Sequence, residues 1–78
     1  PDVADTLNNI AIVYERLLKF SDALDYYSQA LAIKERVLSP EHLSIASSCR
    51  NLGHLYSRLK NYRDALTFYQ RCLSIDQK

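Results

Sequence analysis

The sequence predicts an all-α fold made of two tandem antiparallel helix hairpins. Its 78 residues are 47% apolar and include one Gly and two Pro, a composition too apolar for disorder and too poor in turn residues for an all-β protein. The chain also repeats itself, because a shift of 42 positions aligns residues 3–36 with residues 45–78 and gives 11 identities in 34 pairs. A repeat of this length is typical of stacked helical hairpins, or an α-solenoid.

Apolar side chains recur at the helical spacing of three and four residues. In the first copy the stripe consists of Val3, Leu7, Ile10, Tyr14 and Leu17. Pro40 cannot continue a helix and separates the copies. The sequence therefore predicts one domain over residues 1–78, with repeat one at 1–42 and repeat two at 43–78. Four helices are predicted, at about 2–18, 21–38, 43–60 and 62–77.

The histidines and cysteines do not form a pattern typical of an enzyme or a metal site. His42 and His54 are the two histidines, and Cys49 lies five residues before His54, about 140° away around a helix. Glycine-rich phosphate loops and HExxH sequences do not occur. We therefore expect no catalytic activity, no cofactor and no metal.

Cysteine usage and charge indicate the compartment and the partners. Cys49 and Cys72 could form one disulfide, but their core positions in helices favour free thiols in a reducing compartment, so we expect a cytoplasmic protein. The net charge of +1 favours neither nucleic acid nor a membrane surface, and no apolar run approaches the ~18 residues of a membrane span. The start at Pro1-Asp2 without Met is typical of a piece of a longer protein.

Two segments in each copy carry a resemblance to a known family. They are Leu7-x2-Ile10-Ala11-x2-Tyr14 with Ala23-x3-Tyr27, and Cys49-x2-Leu52-Gly53-x2-Tyr56 with Ala65-x3-Tyr69. They resemble the Trp-x2-Leu-Gly-x2-Tyr and Ala-x3-Phe pattern of the tetratricopeptide repeat (TPR) family, whose hairpins stack into a right-handed superhelix. The 42-residue period and the run at 30–38 are similar to the repeats of kinesin light chains and related adaptors. Leu18 and Lys60 depart from the family, which usually has Gly in these turns.

The resemblance implies a concave groove in which the first helices of the hairpins hold a peptide. The resemblance places Asp5, Glu15, Ser47 and Ser57 in this groove, together with the eight positions expected to contact the peptide, which are Asn8, Asn9, Ile12, Arg16, Arg50, Asn51, His54 and Arg58. Asn9 and Asn51 match asparagines that hydrogen-bond a ligand's backbone, with bracing of the neighbouring hairpin as the alternative role. Arg50 and Arg58 favour an acidic ligand, and the alternative is that they are solvated charges.

The expected function is that of a scaffold or adaptor that binds a linear, acidic peptide motif of a protein partner. We expect neither nucleic acid nor a membrane as a partner. The alternative is self-assembly, because repeats bury their apolar faces only against neighbours and about three are normally needed for stability. Repeat one has four basic and seven acidic residues, a net charge of −3, whereas repeat two has six and two, a net of +4. This asymmetry favours head-to-tail contacts between copies.

Overall fold

The computed structural model describes residues 3–38 and 42–76, and these residues form four helices. The helices are α1 (Val3–Arg16), α2 (Phe20–Val37), α3 (Leu43–Arg58) and α4 (Tyr62–Asp76). α1 packs against α2 and α3 packs against α4, each pair forming a hairpin, and contacts between α2 and α3 join the two hairpins. The predicted all-α fold of tandem helix hairpins is confirmed.

The helix bounds differ from the predicted ones by one or two residues. The first and third helices were predicted to end at residues 18 and 60, but α1 ends at Arg16 and α3 at Arg58. α2 begins one residue earlier than predicted, at Phe20, and ends at Val37. The predicted break at Pro40 and the predicted helix ends at residues 2 and 77 lie outside the described residues.

The turn between α1 and α2 explains the early end of α1. Leu18 has a φ of 63°, in the left-handed region. This conformation allows the Leu18 N–H to donate to the carbonyl of Glu15 at 3.0 Å and the Lys19 N–H to donate to the carbonyl of Tyr14 at 2.9 Å. The two bonds form a Schellman motif, which satisfies carbonyls left without a partner at the helix end.

The turn between α3 and α4 repeats this geometry. Lys60 has a φ of 65°, and the N–H groups of Lys60 and Asn61 donate to the carbonyls of Ser57 and Tyr56 at 3.0 and 2.9 Å. The Asn61 side chain then donates to the Asp64 carboxylate at 2.7 Å, in the first turn of α4. Both turns therefore contain a residue with a side chain in the left-handed conformation, at the position where tetratricopeptide repeats usually have Gly.

Replacing either residue by glycine is expected to stabilise the chain. A side chain in the left-handed region costs roughly 1–2 kcal/mol, and the greater freedom of glycine in the unfolded chain offsets about 0.4–1 kcal/mol of the gain. Lys60→Gly should therefore raise the free energy of unfolding in a urea titration by about 0.5–1 kcal/mol. Ser28→Gly, at an exposed position inside α2, is the control and should lower it. A loss of stability in Lys60→Gly would contradict this account of the turn.

The core lies around α3, because this helix packs against both α2 and α4. Its buried residues are Ile45, Ala46, Ser48, Cys49, Leu52, Gly53 and Leu55. A Cβ atom added at Gly53 would lie 3.0 Å from ring atoms of Tyr69 on α4, so the absence of a side chain allows the ring to approach the α3 backbone. Both cysteines are buried and neither is in a disulfide, and burial raises the pKa of the Cys49 thiol, which disfavours the reactive thiolate.

Stacked aromatic rings connect the two helices of each hairpin. Tyr14 stacks on Tyr26 with ring centroids 5.5 Å apart and an interplanar angle of 10°. Tyr56 stacks on Phe68 at the same separation and an angle of 12°. These residues are equivalent under the 42-residue shift, so the sequence repeat is also a repeat of side-chain contacts.

Candidate functional site

An open groove lies between α1 and α3, close to the turn that leads into α2. Its volume is about 530 Å³, and it is lined by Ile12, Glu15, Arg16, Leu18 and Arg58. Ile12, Arg16 and Arg58 are among the eight predicted contact residues, and Glu15 was expected on the same surface of α1. The stacking of the hairpins places residues of both repeats on one groove.

Helical spacing accounts for the groove wall on α1. Ile12, Glu15 and Arg16 are three and four residues apart, so their side chains share one face of the helix. Arg16 and Arg58 are equivalent in the repeat, and each lies in the last turn of its helix, where a cation complements the helix dipole. The Arg58 guanidinium carbon lies 5.1 Å from the centroid of the Phe20 ring, a cation–π contact that orients this side chain.

The Glu15 carboxylate makes contacts within the groove wall on both of its oxygens. The Tyr27 hydroxyl of α2 donates to Oε1 at 3.1 Å, and Nε2 of His54 on α3 lies 3.5 Å from Oε2. Burial, followed by the adjacent Glu15 carboxylate, raises the pKa of Tyr27 to about 12. The hydroxyl therefore keeps its proton at neutral pH and remains a donor, and the three side chains connect α1, α2 and α3.

Two guanidinium groups give the groove its basic character. Within the described part of the chain, neither Arg16 nor Arg58 forms an ion pair, and both side chains are exposed. Guanidinium groups present planar pairs of donors that match a carboxylate. Ile12, partly exposed between these polar groups, offers an apolar contact in the same groove. The arrangement can bind a carboxylate next to an apolar group.

The remaining predicted site residues lie outside the lining of this groove. His54 contacts the groove residue Glu15 but does not itself line the groove. Asn9 and Arg50 are exposed, and Asn51 is half-buried. The carbonyl oxygen Oδ1 of Asn8 is buried and accepts no hydrogen bond from the described residues. The structure thus brings together three of the eight predicted positions and connects a fourth to them.

Leu18, Phe20 and Tyr27 contribute to the groove or its wall and were not among the predicted site residues. Leu18 was noted only as a departure from glycine in the turn, and it lines the groove because that turn lies beside it. Phe20 and Tyr27 belong to α2, whereas the predicted site residues all lie on α1 and α3. Their contacts with Arg58 and Glu15 depend on the packing of α2, for which the sequence carries no local signal.

Among residues 3–38 and 42–76, no group of three or more His, Cys, Asp or Glu side chains could hold a metal ion. None of the described helices combines the length and the apolar character that crossing a membrane requires.

Comparison with known families agrees with the geometry. The family model for the tetratricopeptide repeat matches residues 2–78. A comparison with curated proteins found no match. Members of the matched family generally mediate protein–protein interactions and are typically not enzymes. The four helices, paired into two hairpins, are consistent with that match. The chain belongs to the tetratricopeptide repeat family.

Proposed function

We propose that this chain binds a linear, acidic peptide motif of a partner protein in the groove between α1 and α3. The observation that carries the proposal is the pair Arg16 and Arg58, which come from different repeats and line one groove. A carboxylate in this groove gains charge-assisted hydrogen bonds from either guanidinium. Glu15 adds one negative charge to the groove lining, against the two positive charges of the arginines, so an excess of positive charge remains.

The preferred motif carries an apolar side chain beside its acidic residues. Ile12 and Leu18 line the same groove as the two arginines, and both are exposed. Burial of an apolar ligand side chain against them contributes about 25 cal/mol per Å² of area removed from water. Alternating acidic and apolar residues would satisfy both kinds of contact.

The wider surface of α1 and α3 extends the proposed site. Asn9 and Asn51 would hydrogen-bond the peptide backbone, and Asn8, Arg50 and His54 would contact residues that flank the motif. The 42-residue period and the motifs of each copy support membership of the kinesin-light-chain-like subclass. In the proposed role the chain is part of a cytoplasmic scaffold or adaptor, and its partner is a protein.

The proposal is tested with a fluorescein-labelled hexapeptide, Glu-Leu-Asp-Glu-Leu-Asp, whose binding is followed by fluorescence anisotropy. The double variant Arg16→Glu plus Arg58→Glu removes both cations from the groove. Its affinity for the peptide should fall at least about tenfold, which corresponds to 1.4 kcal/mol. The dependence of the dissociation constant on salt should also become weaker, because fewer charge pairs form.

A second double variant, Arg36→Glu plus Arg63→Glu, is the matched control. Both of its positions are exposed and lie outside the groove lining. Each Arg→Glu change alters the charge by −2, so both double variants move the net charge from +1 to −3. The control should therefore keep most of the affinity. Equal losses in the two variants would show that overall charge, and not this groove, attracts the peptide, and the proposal would fail.

A further inference from the structure

The 42-residue repeat allows the exposure of equivalent side chains on α1 and α3 to be compared. Ile45 and Leu55 on α3 are 0% exposed, whereas their equivalents on α1, Val3 and Val13, are 67% and 56% exposed. Each pair occupies the same position within its own hairpin. The difference therefore comes from the preceding hairpin, which packs against α3 through α2. Val3 and Val13 mark the corresponding surface of α1, here called the head face.

Equivalent side chains on α2 and α4 also differ in exposure, and this difference defines a second surface. Tyr27 and Leu31 on α2 are 3% and 7% exposed, and their equivalents on α4, Tyr69 and Leu73, are 39% and 56% exposed. α2 is covered by α3 of the following hairpin, which accounts for the burial of its side chains. Tyr69 and Leu73 mark the corresponding surface of α4, here called the tail face.

We infer that the tail face of one copy of this chain docks on the head face of a second copy. The contact reproduces the packing of α2 against α3. Tyr69 and Leu73 of α4 repeat Tyr27 and Leu31 of α2, and the valines Val3 and Val13 of α1 correspond to the aliphatic Ile45 and Leu55 of α3. The four side chains that mark the two faces are 39–67% exposed in a single copy, and docking removes this apolar surface from water. The interface within the chain thus serves as the template for the interface between chains.

Charge supports a second copy as the occupant and sets its orientation. The tail face belongs to repeat two, with a net charge of +4, and the head face to repeat one, with −3. Opposite charges favour head-to-tail encounters, and like charges oppose head-to-head and tail-to-tail encounters. Neither face includes a residue that lines the peptide groove, so the inference is independent of the proposed peptide binding.

Docking of this kind is heterologous, because two different faces of the chain meet. Such a contact leaves one free head face and one free tail face on every assembly, and it extends unless rotation closes a ring. The weight-average mass should therefore rise with concentration, from the 9.0 kDa of one chain to more than twice that value. An isologous dimer would stop at twice the mass.

Two variants with one damaged face each test the inference. Val13→Asp damages the head face and Leu73→Asp the tail face, and both positions are more than half exposed in the single chain. Sedimentation velocity should show each variant alone as a 9.0 kDa monomer at concentrations where the unmodified chain associates. An equimolar mixture should form a heterodimer, because the intact tail face of one variant meets the intact head face of the other.

The control is Thr67→Asp, an exposed position on α4 whose equivalent, Asp25, stays exposed in the joined hairpins. This variant should associate like the unmodified chain. Circular dichroism checks that each variant remains helical, and Val3→Asp replaces Val13→Asp if that variant unfolds. The inference is overturned if the equimolar mixture stays monomeric, if either single variant still associates, or if the unmodified chain remains a monomer at high micromolar concentration.

Discussion

Leu52→Ala should lower the free energy of unfolding by about 3 kcal/mol, within the usual range of about 2–5 kcal/mol for truncating a fully buried leucine. Leu52 belongs to the core cluster, on the helix that contacts both α2 and α4. Removal of its side chain therefore leaves a cavity that affects both hairpins at once. A chain of 78 residues has a total stability of roughly 4–12 kcal/mol, so the variant loses a large part of it.

Leu43→Ala is the matched control for this experiment, because it makes the same chemical change on the same helix. Leu43 lies in the first turn of α3 and is mostly exposed, so its truncation should cost less than about 1 kcal/mol. Both variants are compared by chemical denaturation at low micromolar concentration, where docking between copies is minimal. Similar losses in the two variants would contradict a core organised around α3.

Gly53→Val should destabilise the chain by about 2 kcal/mol, because it forces extra atoms into the contact between α3 and α4. The nearest atoms to an added Cβ belong to the Tyr69 ring, at 3.0–3.1 Å, which is tighter than ordinary van der Waals contact. The branched side chain of valine adds two further methyl groups at this point. The free energy of unfolding, measured by urea titration, gives the effect directly.

Gly53→Ala separates steric crowding from helix propensity. Alanine gains about 1 kcal/mol over glycine inside a helix, and the partly exposed Tyr69 ring can move outward by a few tenths of an ångström. The first repeat already has Ala11 at the equivalent position. Gly53→Ala should therefore be nearly neutral. If valine were tolerated as well as alanine, close helix approach would not be the reason for Gly53.

The fold was predictable because its signals are local and repeated. Apolar spacing defines each helix, and the 42-residue shift shows that the hairpins are alike, so four helices in two hairpins followed from the sequence. The ends of α1 and α3 were less accessible. Leu18 and Lys60 adopt a left-handed conformation that glycine would have signalled, and His42 caps α3 through Nδ1 although histidine is not a preferred capping residue.

The candidate groove was predictable only in part. Ile12, Arg16 and Arg58 were predicted because the resemblance to the tetratricopeptide repeat family carries them over to a groove lined by the first helices of the hairpins. The contacts of Glu15 with Tyr27 and His54 were not predicted, because they depend on how α2 and α3 meet in three dimensions. The helix face on which a side chain lies can be predicted from helical spacing alone. Predicting the partners that hold the side chain in place requires distances between helices.

The acidic peptide is proposed to bind between the two repeats, and nuclear magnetic resonance can locate the bound peptide directly. The ¹⁵N-labelled chain is titrated with unlabelled Glu-Leu-Asp-Glu-Leu-Asp, and amide shift changes are followed along the sequence. The largest changes should fall at residues 12–18 of α1 and its turn and around Arg58 of α3, with small changes on α4. Changes concentrated on α4, or none at millimolar peptide, would contradict the claim.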